Sequence, residues 1–182
     1  MFQSPGTPSG RVLDPIERVS EVIFGVLMAM TFIGSLSVAS GGREEVRTAM
    51  IAALGCNIAW GLADAVMYLV AVLTERTRER TVLREQGRGA EAQSPRLTGH
   101  DWKGALGVFV LVAASTFPLV VPFLVFDRLA PALVASRGVA LAMLFLGGWL
   151  LARYSGGGRW LAGFGMAAAG AVLLAAIIAL GG

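Results

Sequence analysis

The sequence predicts an all-α, polytopic integral membrane protein with five transmembrane helices, N-terminus inside and C-terminus outside, and no soluble catalytic domain. Three observations predict it. Of 182 residues, 55% are hydrophobic and only 15% charged, with a mean hydropathy of +0.70; a soluble domain sits nearer about 45–50% apolar and about 25% charged. The apolar excess is gathered into runs of about 18 residues or more, the length that crosses a hydrocarbon core. The basic residues fall between those runs, and unevenly. In lipid every backbone polar group must be satisfied within its own segment, so such runs are helices rather than lone strands.

Residues 1–18 form the expected disordered cytoplasmic tail. Their opening MFQSPGTPSG is rich in Pro, Gly and Ser and lacks the basic stretch before a short apolar core that marks a cleaved signal peptide. The membrane domain occupies 19–182. Its first span covers about 19–40, closed by Gly41-Gly42, and after the charged GREEVR the second covers about 49–74. A cytoplasmic loop, 75–103, begins with charges of alternating sign (TERTRERTVLRE), a pattern that can extend the second helix as a stalk, and then turns loop-like. The third span, about 104–126, carries Pro118 and Pro122, each of which frees a backbone carbonyl and predicts a kink. The fourth, about 129–152, has Pro131 in its first turn, where proline costs little. SGGGR is a tight break before the fifth, about 160–180; it lacks the spacing of a phosphate-binding loop.

Orientation follows from the Lys and Arg count. Eleven lie on one side (Arg11 and Arg18, seven from Arg76 to Lys103, Arg153 and Arg159) against Arg43, Arg47, Arg128 and Arg137 on the other. Positive charge stays in the cytoplasm, which places the tail and the polar loop there and requires an odd number of spans. The pI of about 9.7 therefore reflects topology and lipid head-group contact, not nucleic acid. Cys56, the single cysteine, lies inside a span, so no intramolecular disulfide forms. No Ser-His-Asp set or His/Cys metal cluster is legible, so an enzyme is not expected. His100-Asp101, just before the third span, is read as a solvated pair rather than a weak metal site.

Asp64 in the second span is the informative residue. A carboxylate at mid-membrane costs about 2.5–3.5 kcal/mol on insertion scales, so it is expected to face a partner, a polar cavity or an ion path; hydrogen-bonded packing is the plainer alternative. Asn57, Gly61, Asp64 and Tyr68 share one helix face, with Met67 three residues beyond Asp64. In the first span Glu21 lies near the cytoplasmic end and Met28 and Met30 near the middle. Running antiparallel, the second helix is expected to place Asp64 at the depth of residues 27–30, so that Glu21, Met28, Asp64 and Met67 border one path. Carboxylate with thioether suits Fe²⁺ or Mn²⁺ better than Ca²⁺. Small residues four apart (Gly25 and Ala29; Gly55, Ala59 and Ala63; Gly163 and Ala167) are packing faces.

The segments SEVIFGVLMAMTFIGSLSVASG, ALGCNIAWGLADAVMYLVAVL, FPLVVPFLVFD and ALAMLFLGGWLLARYSGGGRWLAGFGMAAAGAVLL resemble the vacuolar iron transporter family, including its bacterial members. The resemblance implies five spans, a homodimer, a metal path between the first two helices, and Fe²⁺ or Mn²⁺ exchanged for protons across a bacterial plasma membrane, the metal being cargo rather than a tightly bound cofactor. Gly25, Tyr68 and Glu21 match the family pattern. Met28 and Ala29 stand where the family carries Asp-Gly, Val66-Met67-Tyr68 where it carries Gly-Glu-Tyr, and the loop is shorter than its glutamate-rich insert. Asp64 would then supply the intramembrane carboxylate. The alternatives are a membrane scaffold or accessory subunit that keeps the fold without transporting, and a channel for another small solute.

Overall fold

The computed structural model describes residues 13–35, 43–87 and 96–180. The Gly41-Gly42 stop, residues 1–12 of the tail and residues 88–95 of the loop lie outside that set. Among the described residues six helices follow in order: α1 (Pro15–Ser35), α2 (Arg43–Glu85), α3 (Gly99–Ser115), α4 (Phe117–Val125), α5 (Leu129–Ser155) and α6 (Arg159–Ala179). No strand occurs among the described residues. Four stretches are long and apolar enough to cross a membrane: Val46–Glu85, Gly99–Val125, Leu129–Ser155 and Arg159–Ala179. Their large side chains face outward, Leu161, Val172 and Leu124 among them. An apolar exterior of that extent is what lipid covers, and the chain is a multi-pass membrane protein.

The first helix begins earlier than the expected tail boundary. Pro15 opens it, where a missing N–H costs nothing, and the Asp14 N–H donates to the Glu17 carboxylate at 2.9 Å. Residues 15–18 are thus helix. At the other end of the polar loop α2 continues through Glu85, a 43-residue rod about 64 Å long at ~1.5 Å per residue. The loop narrows further because α3 starts at Gly99.

The α1 helix is the hub, packing against every other helix and burying Val26, Ala29, Met30 and Ile33. On one side it meets α3, with α2 antiparallel beyond. On the other it meets α5, where Gly147 receives the Ile23 side chain, and α6, whose Gly170 lies against Met30 and Leu144. The α5–α6 pair is the closest: a Cβ on Gly148 would stand 2.5 Å from the Ala162 carbonyl oxygen. Gly156 ends α5 at φ +81°, a left-handed turn that only glycine adopts freely, and α6 starts three residues later. Arg137, counted with the outer loop charges, sits two turns inside α5. Its guanidinium reaches the Gly34 carbonyl at 3.4 Å, near the end of α1, while its Nε is buried without a hydrogen-bond partner. A long stem lets the charge reach a helix end from inside the bundle.

Candidate functional site

The polar face of α2 turns into the bundle, and α3 is its principal neighbour. Along it Tyr68 meets Gly104, Gly61 meets Phe109 and Val112, and Asn57 meets Thr116. The glycines on either side admit this closeness. A Cβ on Gly61 would lie 3.2 Å from the Phe109 carbonyl, and one on Gly104 would lie 2.6 Å from Tyr68 Cζ. Gly25 of α1 is equally tight, against Ser115 and 3.0 Å from the Val112 carbonyl.

Asn57, only 1% exposed, ties the three helices together. Its amide nitrogen donates to the Gly25 carbonyl at 3.3 Å, to the Val112 carbonyl at 3.3 Å and to the Thr116 hydroxyl. This is where the third span breaks. Pro118 has no N–H for the Ala114 carbonyl, and the Thr116 N–H shortens its reach to Ala113 rather than Val112. The Val112 carbonyl, left without that partner, accepts instead from Asn57 and from the Ser115 hydroxyl at 2.7 Å. With its nitrogen directed at two carbonyls, the Asn57 amide oxygen is buried without a partner.

The Asn57–Gly25 bond also fixes the register of α1 on α2. Asp64, seven residues along and about 10.5 Å away at ~1.5 Å per residue, lies beside Glu21 rather than at the depth of residues 27–30. The two carboxylates are near enough for their charges to act on each other. The register differs from the expected one because α2 begins at Arg43, ahead of the expected start of the second span at about 49, so counting outward from the connection between the two spans misplaces its residues. Glu21 is buried, and one Asp64 oxygen is buried without a hydrogen-bond partner. Among the described residues no basic side chain pairs with either.

The methionines do not join them. Met67 points outward, 61% exposed. Met28 is half-buried one turn beyond Gly25, on the far side of Asn57 from Asp64. What the junction presents is oxygen at two levels: the two carboxylates and, about 10.5 Å further along α2 at ~1.5 Å per residue, the Asn57 amide oxygen with the Ser115 and Thr116 hydroxyls. Among the described residues no three His, Cys, Asp or Glu side chains converge as a ready-made metal site.

At the loop end of the same face lies a cluster the sequence reading passed over. Asp101 is 3% exposed, not solvated. One of its oxygens pairs with Arg76 of α2 at 2.7 Å; the other accepts from the Thr98 N–H at 2.6 Å and the Thr98 hydroxyl at 2.7 Å. Arg76 also donates to the Arg96 carbonyl at 2.6 Å. The Thr98-x-x-Asp101 spacing before an apolar run is a helix-start signature and was the available signal. His100 stays exposed.

These features define a multi-pass helical membrane protein with a partly buried acidic face at the junction of α1, α2 and α3. No protein-family model matches the sequence, and a comparison with curated proteins returns no match.

Proposed function

We propose that this protein moves a cation across the membrane along the α1–α2–α3 junction, with Glu21 and Asp64 as the carboxylates that hold it and Asn57 bounding the path. The observation that supports this best is the acidic pair itself, Glu21 buried and Asp64 half-buried with one oxygen shut off from solvent, with no basic partner among the described residues. Two adjacent carboxylates in a low-dielectric interface repel, and a proton or a metal cation relieves that repulsion. Ionisable groups inside a membrane are costly and pair with one another or serve an ion path. The cargo we favour is Fe²⁺ or Mn²⁺, exchanged for protons: the oxygen donors suit Mn²⁺, and Fe²⁺ rests on the resemblance to the vacuolar iron transporter family. Since a carboxylate must lose its proton to ligate, metal and proton compete for the same oxygens, which is the basis of coupled exchange. The same reading includes five spans with the N-terminus in the cytoplasm, a plasma-membrane location and a homodimer like that of the vacuolar iron transporter family.

Asp64→Asn keeps the shape and removes the charge. Reconstituted into proteoliposomes, this variant is expected to lose Mn²⁺ uptake while remaining helical and monodisperse. Uptake equal to the parent protein overturns the reading. The scaffold alternative draws on the lack of a converging three-residue ligand set among the described residues. It predicts that Mn²⁺ leaves the melting temperature of the parent protein unchanged, where a binder at 100 times its Kd gains about 2.7 kcal/mol.

A further inference from the structure

Tracing the acidic face towards the polar loop shows that it is shut at that end by two separate devices. The first is the ion pair between Arg76 of α2 and Asp101 of α3, the side chains 16% and 5% exposed, which also grips the chain before α3 through the Arg96 carbonyl. The second is apolar. Leu13, 5% exposed, lies ahead of α1 and packs into a cluster with Val108, Val112 and Tyr68, its side chain lying flush on Gly107. The Arg18 Nε donates to the Leu13 carbonyl at 3.1 Å and fixes that residue to the first turn of α1. Between the two devices stands Tyr68, its ring lying against Gly104 and its hydroxyl within electrostatic reach of Glu17, Asp101 and Arg76.

We propose that the Arg76–Asp101 pair, with Leu13 and Tyr68 beneath it, is a gate that closes the loop end of the Glu21–Asp64 path. The two ends of the path differ in how firmly they are tied. At the Asn57 end one almost fully buried amide holds α1, α2 and the α3–α4 break together in a region shielded from water. At the loop end the tie between α2 and α3 is an ion pair next to the polar loop, Asp101 buried and Arg76 16% exposed, so that water reaches one partner. A path that opens at one end only will open where α2 can swing from α3 without breaking the Asn57 bonds. The long rod of α2 beyond Arg76, exposed on nearly every face, gives a load or partner on the polar loop a lever on that movement. This gate rests on the reading of the acidic face as a path, but its closure is measurable without transport.

The test uses the full chain in lipid nanodiscs, with Cys56→Ser as background and a water-soluble methanethiosulfonate reagent as probe. Asp64→Cys reports access to the path. Met30→Cys, in the core beyond Asn57 and 1% exposed, reports loosening of the whole bundle. Arg76→Ala is expected to raise the labelling rate at Asp64→Cys by about tenfold or more, the signature of a local opening, and to leave Met30→Cys unchanged. Leu13→Ala, which spares the ion pair, is expected to act in the same direction. An unchanged rate at Asp64→Cys in both variants overturns the gate, and so does an equal rise at both reporter positions. Loss of the transport reading alone would show as absent uptake in the parent protein with the labelling difference intact.

Discussion

Asn57 carries more of the tertiary structure than any other polar side chain on the acidic face, because its three acceptors belong to α1, α3 and the break after α3. Asn57→Leu fills a similar volume with no donor and leaves the Val112 carbonyl to Ser115 alone. It is expected to cost about 1–3 kcal/mol, the range for a buried polar group deprived of its partner. Asn57→Asp is expected to cost more at pH 8, since a carboxylate would face two carbonyl oxygens in a dry interface. Thermal unfolding of the two variants in one detergent checks the order; equal melting temperatures would show that the amide bonds are not what holds the junction. The sequence marked Asn57 and Asp64 as one face, since that needs only the helical period. It could not show the clamp, whose partners lie 32, 55 and 59 positions away in the chain. Depth opposite Asp64 nominates Met28 and spacing along α2 nominates Met67, but rotation about the axis turns Met67 outward. Arg76 and Asp101 were hidden in a run of charges that reads as solvated until the fold brings α2 and α3 side by side.

At the scale of elements, hydropathy and proline placement carried the reading, and the details were set by caps and glycines. The third span was expected to bend, and it breaks at Thr116, just ahead of Pro118; Pro122 leaves α4 intact, its carbonyl accepting from the Phe126 N–H at 2.9 Å. The small-residue faces divide. Gly25 and Gly163 sit at helix crossings, whereas Gly55, Ala59 and Ala63 face outward. Gly147 and Gly148, which no small-residue spacing singled out, also sit at close crossings, Gly147 against Ile23 of α1 and Gly148 against the backbone of α6. Gly148→Ala would drive a methyl group into the Ala162 carbonyl and Met166 of α6, and backbone cannot yield as a flexible side chain does. The expected cost is about 1–3 kcal/mol of overpacking. Gly165→Ala, in the same helix pair but with nothing near its Cβ position, should be neutral or slightly stabilising through helix propensity. The comparison is made by SDS-titration unfolding of the two variants; similar destabilisation in both would mean that α6 does not depend on close approach to α5.

For the whole molecule the question is how many times the chain crosses, and α1 decides it. Its apolar stretch is short and begins with Glu17, Arg18 and Glu21, so composition alone leaves it weaker than the four longer spans. Its neighbours argue for a full crossing. Just ahead of its start Leu13 lies on Gly107 of α3, midway it meets Val112 and Ser115, and at its far end Gly34 lies against Leu174 and Ile177 of α6. We propose that α1, flanked from end to end by helices that are themselves long enough to span, shares their slab of membrane. It lies parallel to α3 and α6 and antiparallel to α2 and α5, the alternation that five crossings require. With eleven of fifteen basic residues on the side of the polar loop, the proposed arrangement puts that side in the cytoplasm and the C-terminus outside. The expectation is that alkaline phosphatase fused after Gly182 is active, a fusion after Gln86 is inactive, and green fluorescent protein gives the reverse pattern. If α1 instead lay along the surface, the fusions at Gln86 and Gly182 would still report opposite sides, but a tag at Met1 would be labelled from the side opposite Gln86. Labelling at Met1 from the same side as Gln86 is therefore the measurement that separates five crossings from four.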